Sequence, residues 1–221
     1  MNQPRRTYLD HAATTPVRPE VLAAMQPIFT EIYGNPSSFY TTGQVAKSQL
    51  DAARATIATC IGAKPTEIFF TSGGSEADNW AIKGAASRFA AKGRHLITTA
   101  IEHHAVLHSM EALQRQGYEI TFLPVDSFGL VDPEAVRAAI RPDTTLVSII
   151  MANNEIGTIQ PIAEIGKICR EAKVLFHTDA VQAAGAIPIN VSELNADMMS
   201  FSGHKFYSPK GVGFLYIRSG V

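Results

Sequence analysis

The stretch IFFTSGGSEADNWAIKGAASRFAA, residues 68–91, holds three kinds of sequence in order. Ile68–Ser72 is apolar and β-prone, Gly73 and Gly74 allow a tight turn, and Glu76–Ala91 reads as a helix. The same order recurs downstream. Strand-like runs lie at His95–Ala100, Glu119–Leu123, Thr145–Met151, Leu175–Asp179, Met198–Ser202 and Val212–Arg218. They are near-continuous in Ile, Val, Leu, Phe and Thr rather than alternating, as expected for strands buried on both faces. Helix-like segments lie between them at Ala105–Gln116, Pro133–Ile140 and Ile162–Ala172. Asp132 before Pro133 reads as an N-cap with proline at the first helical position, and Gly117 as a helix stop. This alternation predicts an α/β fold: a mostly parallel open sheet of about seven strands with helices on both faces.

The last two runs are joined only by GHKFYSPKG, residues 203–211, too short for a crossover helix. The final strand is therefore expected to be antiparallel and to lie at an edge or end of the sheet. Upstream of residue 68, Pro19–Ile32 and Val45–Ile61 read as helices separated by the turn-rich YGNPSSFYTTG. No repeat or linker interrupts the chain. It reads as one fold entered through a helical N-terminal arm, with residues 1–18 leading into a single large domain over 19–221.

Composition narrows the function classes. In 221 residues, 46% are hydrophobic and 18% charged, and Lys+Arg 19 against Asp+Glu 20 leaves a net charge of −1. Such a balance gives no electrostatic footprint for nucleic acid or an anionic membrane. No stretch approaches the roughly 18 uninterrupted apolar residues of a membrane span. Arg5 and Arg6 have no apolar run behind them, so an export signal is not expected and a cytoplasmic setting is. Cys60 and Cys169, both flanked by apolar helical neighbours, read as small core residues.

In open α/β sheets chemistry gathers beyond the carboxyl ends of the strands. Polar clusters stand at five such ends: SGGSEADN (72–79), EHH (102–104), NNEIG (153–157), DAVQ (179–182) and SGHK (202–205). The Gly73–Gly74 turn aims free backbone N–H groups at an anion, most simply a phosphate, although such turns also serve structure alone. It is neither a dinucleotide fingerprint nor a Walker loop. Lys205, after a buried strand and beside Phe206 and Tyr207, is placed to be desolvated and nucleophilic, unless it is a plain turn lysine. Asp179 ends the strand LFHTD and needs a cation nearby: a protonated pyridine nitrogen or an arginine. A phosphate turn, an acid and a lysine at different strand ends are the equipment that pyridoxal phosphate requires. His104 and His108 have zinc-compatible spacing but no third ligand, so no metal is expected. One histidine of the 103–104 pair can instead stack on a cofactor ring, while His11, His95 and His177 read as ordinary histidines.

LDHAATTP (9–16), GNPSS (34–38), TSGGSEADN (71–79), EHHAV (102–106), NNEIG (153–157), HTDAVQ (177–182) and SFSGHKFYSPKG (200–211) together resemble the NifS-like cysteine desulfurases. These are class V members of the fold-type-I pyridoxal phosphate enzymes. The resemblance implies that Lys205 carries pyridoxal 5'-phosphate and later moves the Cα proton of the substrate. It implies Asp179 at the pyridine nitrogen, and His103 stacked on the ring and sharing in proton transfer. Gln182 and Asn154 would lie beside the phenolic oxygen, while Gly74, Ser75, Ser202 and His204 would hold the phosphate. The implied reaction converts L-cysteine to L-alanine and leaves sulfur as an enzyme persulfide. That sulfur serves iron–sulfur cluster assembly or thiolation through an acceptor or scaffold protein, and the implied assembly is a homodimer.

The family's nucleophilic cysteine loop, its substrate-clamping arginine and its C-terminal small domain would all follow the SGHK lysine and are missing from these 221 residues. Neither Cys60 nor Cys169 matches the nucleophile, and Tyr40 stands where many relatives have histidine. The expectation is a large domain unable to complete persulfide chemistry alone. The alternatives are a selenocysteine lyase or another class V aminotransferase-like enzyme, and an inactive binding or dimerising module.

Overall fold

The computed structural model describes residues 7–221, so Arg5, Arg6 and the first third of the expected arm lie outside the described residues. The order is α1 (Pro19–Thr30), α2 (Thr41–Ile61), β1 (Ile68–Thr71), α3 (Gly74–Arg88), β2 (His95–Thr99), α4 (His104–Gln114) and β3 (Glu119–Leu123). It continues with α5 (Pro133–Ala139), β4 (Thr144–Ser148), α6 (Ile162–Ala172), β5 (Leu175–Asp179), β6 (Met198–Ser202) and β7 (Gly213–Ile217). Residues 7–18 are not helical; they form a turn at 11–13 and otherwise irregular chain, so the helical entry begins at Pro19.

One seven-stranded sheet runs β1-β7-β6-β5-β4-β2-β3. β2 to β6 pair in parallel, and β7 runs antiparallel to both β6 and β1. The short 203–211 connection did require an antiparallel β7, but the expectation of an edge position fails. β1 folds back outside it, with Ile68 opposite Tyr216 and Thr71 opposite Gly213. β7 is therefore paired on both sides, which explains why its central residues are as apolar as those of the parallel strands.

Both sheet faces are covered, and side-chain alternation assigns each residue to one side. Leu96, Leu146, Met198 and Leu215 pack against Ala77, Ala81 and Ala85 of α3 and Met110 of α4. Their neighbours Ile97, Val147, Met199 and Phe214 face the opposite layer, with Val136 of α5, Ile165 of α6 and Ala58 of α2. The near-continuous apolar runs are thus two interleaved half-patterns. Asp132 caps α5, accepting from the Glu134 N–H at 2.9 Å. α3 begins at Gly74, earlier than the helical pattern suggests, so its first turn meets the carboxyl end of β1.

Candidate active site

Because β1 and β6 both pair with β7, Thr71 and Ser202 lie opposite the same Gly213, which puts the first turn of α3 beside the end of β6. Here a cavity of about 440 Å³ opens. All nine residues singled out in the sequence line it: Gly74 and Ser75 from α3, His103 before α4, Asn154 after β4, Asp179 and Gln182 from the end of β5, and Ser202, His204 and Lys205 after β6. A Cβ at Gly74 would stand 2.6 Å from Val181 Cγ2, so glycine is what lets the helix start approach β5. Gly74 and Ser75 of that start share the cavity wall with Ser202 and His204, and a helix N-terminus beside polar side chains is a setting for an anion.

Asp179 is fully buried, and one carboxylate oxygen accepts from the Val181 N–H at 2.9 Å. Burial pushes its carboxyl up to about 6, against the opposing pull of that N–H and of Lys205. Burial likewise holds the Lys205 amine below the ordinary lysine range, although Asp10, Asp179 and Glu155 partly offset it. Lys205 Nζ donates to Ala12 O at 2.5 Å and Ala13 O at 3.1 Å. His103 is the N-cap of α4 and accepts at Nδ1 from the Ala105 N–H, 3.1 Å away. A neutral His103 therefore carries its proton on Nε2. Desolvation, His104 and Lys205 hold it below the ordinary histidine range. The arrangement offers an anion cradle, a buried acid suited to a cationic heterocycle, and an amine shifted toward its nucleophilic form.

Seven wall residues were not singled out in the sequence: Asp10, Ala12, Ala13, Asp78, Ile150, Glu155 and Val181. The first three arrive because residues 10–18 strap across the SGHK loop. Thr15 N–H donates to His204 O at 2.9 Å, Thr15 Oγ1 accepts from the Tyr207 N–H at 2.7 Å, and Gln182 Nε2 donates to Ala12 O at 2.8 Å. The LDHAATTP motif was their only signal. Asp78, His103 and Asp179 present one ligand-type atom each within 4.8 Å of one another, inside the same cavity. His104 and His108 instead stack with ring centroids 5.3 Å apart on the exposed side of α4.

Neither cysteine lines this cavity. Cys169 is buried, as expected, and burial pushes its thiol up to about 12. Cys60 is exposed, contrary to the expectation of a core residue: it lines a separate apolar cleft with Ile57, Ile187 and Phe206. His95 and His177 are buried and hydrogen-bonded within the sheet, and His11 is exposed.

The profile of the family described as aminotransferase class-V matches residues 7–221. A cysteine desulfurase IscS of Methanosarcina thermophila is 57% identical over 217 residues, 98% of this chain and 54% of that protein. Its counterpart in Dictyoglomus turgidum is 56% identical over 98% of this chain and 55% of its own length. A solved NifS-like protein superposes with a TM-score of 0.96 at 45% identity, over 98% of this chain and 60% of its own. The structure described as SspA in complex with cysteine gives 0.94 at 43% identity, over 97% and 62%. The chain thus spans about half the length of the curated relatives it matches.

Proposed function

The chain belongs to the class-V aminotransferase family, and from that premise we propose that it is the cofactor-binding part of a pyridoxal 5'-phosphate-dependent cysteine desulfurase acting on L-cysteine. The observation that carries this is the meeting of Lys205, Asp179, His103 and the start of α3 around one cavity. The residues fit the cofactor: a buried carboxylate lacks a firmly paired cation, a helix start stands close to β5 through a glycine whose Cβ would crowd Val181, and an amine lines the same cavity.

When bound, pyridoxal phosphate supplies an electron sink for charge that develops at the substrate Cα. Asp179 would keep the ring nitrogen protonated, the state in which that sink works. The α3 N–H groups, with Ser75, Ser202 and His204, would hold the phosphate. Lys205 would provide the attaching amine and afterwards move the Cα proton, its lowered basicity raising the fraction of free amine. His103 would lie against the ring with Nε2–H available to donate, and Gln182 and Asn154 would stand at the phenolic oxygen. The sulfur would leave L-cysteine for a thiol, with L-alanine as the carbon product. A similar solved protein holds cysteine, which supports that substrate.

Neither cysteine reaches the cavity, and no arginine lines it among the described residues. The accepting thiol and the substrate-carboxylate clamp are therefore assigned to parts outside residues 7–221. A homodimer, an iron–sulfur scaffold or other sulfur acceptor, and a cytoplasmic setting complete the proposal. No described helix is long and apolar enough to cross a membrane.

The test is visible absorption after mixing the chain with pyridoxal phosphate and removing the excess. Wild type is expected to retain a band that L-cysteine shifts, and Lys205→Ala to lose it. A band absent from wild type, or equally strong in the variant, would overturn the assignment. Alanine release by the 221 residues alone would place the accepting thiol wrongly.

A further inference from the structure

Asp78 takes no part in the roles above, yet it is nearly fully buried and lines the cavity from the second turn of α3. Its Oδ1 has no hydrogen-bond partner and lies 3.6 Å from His177 Nε2. His177 is itself fixed between hydroxyls, with Nδ1 2.8 Å from Ser148 Oγ and Nε2 2.9 Å from Ser200 Oγ. Asp78 and Asp179 present carboxylate oxygens within 4.8 Å of each other. Two buried carboxylates this close do not both ionise, because desolvation and mutual repulsion each favour holding a proton.

The surroundings decide which one holds it. From β5 come Asp179 and His177, from the β2–α4 connection Glu102 and His103, from β6 Ser200, and from the loop after β6 Lys205. Lys205 is the only lysine or arginine on the cavity wall among the described residues, and its amine is held by the Ala12 and Ala13 carbonyls. Asp179 accepts a backbone N–H, which favours its ionised form. No backbone N–H donates to Asp78 among the described residues, and its buried Oδ1 has no donor to compensate a negative charge, so the proton costs least there. We propose that Asp78 is a positioning residue: it keeps a proton in the buried network behind the cavity, so that Asp179 alone carries the negative charge facing the ring nitrogen. One cationic ring then meets one anion. The role at the ring rests on the pyridoxal phosphate reading, whereas the proton on Asp78 does not.

Burial, with Asp179 and Glu102 nearby, raises the Asp78 carboxyl well above its ordinary value against the opposing pull of the Ser200 hydroxyl. In the cofactor-free chain, unfolded Asp78 ionises above its ordinary value of 3.8 while folded Asp78 does not. The ratio of unfolding constants, wild type over Asp78→Asn, should thus rise by about tenfold per pH unit from about pH 4 upward. A ratio that stays flat or falls overturns the proposal.

In the loaded protein, Asp78→Asn should leave the pH midpoint of the cofactor band within about 0.3 unit of wild type, since an amide replaces a neutral acid. A drop of about one unit or more means that a charge was removed, and overturns the role. If wild type holds no band, the pyridoxal phosphate reading fails while the unfolding comparison still reads Asp78.

Infrared absorption supplies a reading that needs no change at Asp78. Two other buried carboxyls are shifted upward: Glu102, raised to about 8, whose contribution Glu102→Gln removes, and Asp179, raised to about 6 and so mostly ionised at about pH 7. A protonated-carboxyl band that persists in this variant at about pH 7 is expected, and its absence overturns the proposal.

Discussion

Asp179 links folding and binding through one titration. Burial raises its carboxyl from 3.8 to about 6, so in the cofactor-free chain the unfolded state releases this proton first. The stability contribution is therefore full below its ordinary value and is lost as pH rises through about 6. Cofactor retention runs the other way, because only ionised Asp179 holds a protonated ring nitrogen. Affinity is expected to fall by up to about tenfold for each pH unit below about 6, with Asp179→Asn flattening that dependence. Equilibrium titration of the absorption band checks both, and an equally steep fall in the variant would move the titration elsewhere. Asp179 was legible because a carboxylate ending a buried strand is anomalous by itself. Asp78 was not, since in SEADN it resembles any acid in the first turns of a helix. Only the packing of α3 against β5 and β6 turns it inward.

At the scale of elements, β7 ties the helix start to the sheet. Gly213 opens it, and a Cβ there would stand 2.4 Å from Phe201 O and 2.8 Å from Gly73 Cα. Those neighbours are backbone and cannot rotate away. Gly213→Ala is expected to cost about 1–3 kcal/mol and to weaken cofactor retention by displacing the Gly73–Gly74 turn. Gly84 offers the contrast: it is exposed within α3, and a Cβ would meet only Trp80 Cδ1 at 3.5 Å. Gly84→Ala should stabilise by about 0.5–1 kcal/mol without touching retention. Denaturant melts of both variants test this pair, and equal midpoints would refute it. The sequence indicated that β7 was antiparallel, because its connection is short. Its place inside β1 depended on pairing with residues about 150 positions earlier, which no local pattern reports.

For the whole molecule, stability is unevenly shared. α1 buries none of its residues, with Leu22 53% and Phe29 70% exposed, whereas every residue of β4 and β6 is buried. Few apolar contacts hold α1, so its amides should exchange with solvent orders of magnitude faster than those of β4 and β6. Hydrogen-exchange mass spectrometry at low concentration checks this. Comparable protection of α1 would mean that another copy or segment covers its apolar side.

Local chemistry was enough to mark the α/β alternation, the cap at Asp132 and the five polar strand ends, with Lys205 and Asp179 among them, because buried strands, capping side chains and polar strand ends each leave a signature within a few residues. The rest of the nine cavity residues were named through the family resemblance. The strand order, the exposure of Cys60, the strap of residues 10–18 and the buried partnership of Asp78 with Asp179 emerged only in three dimensions. They depend on which face an element turns inward and on contacts between distant residues, where burial rather than local sequence sets charge and proton position.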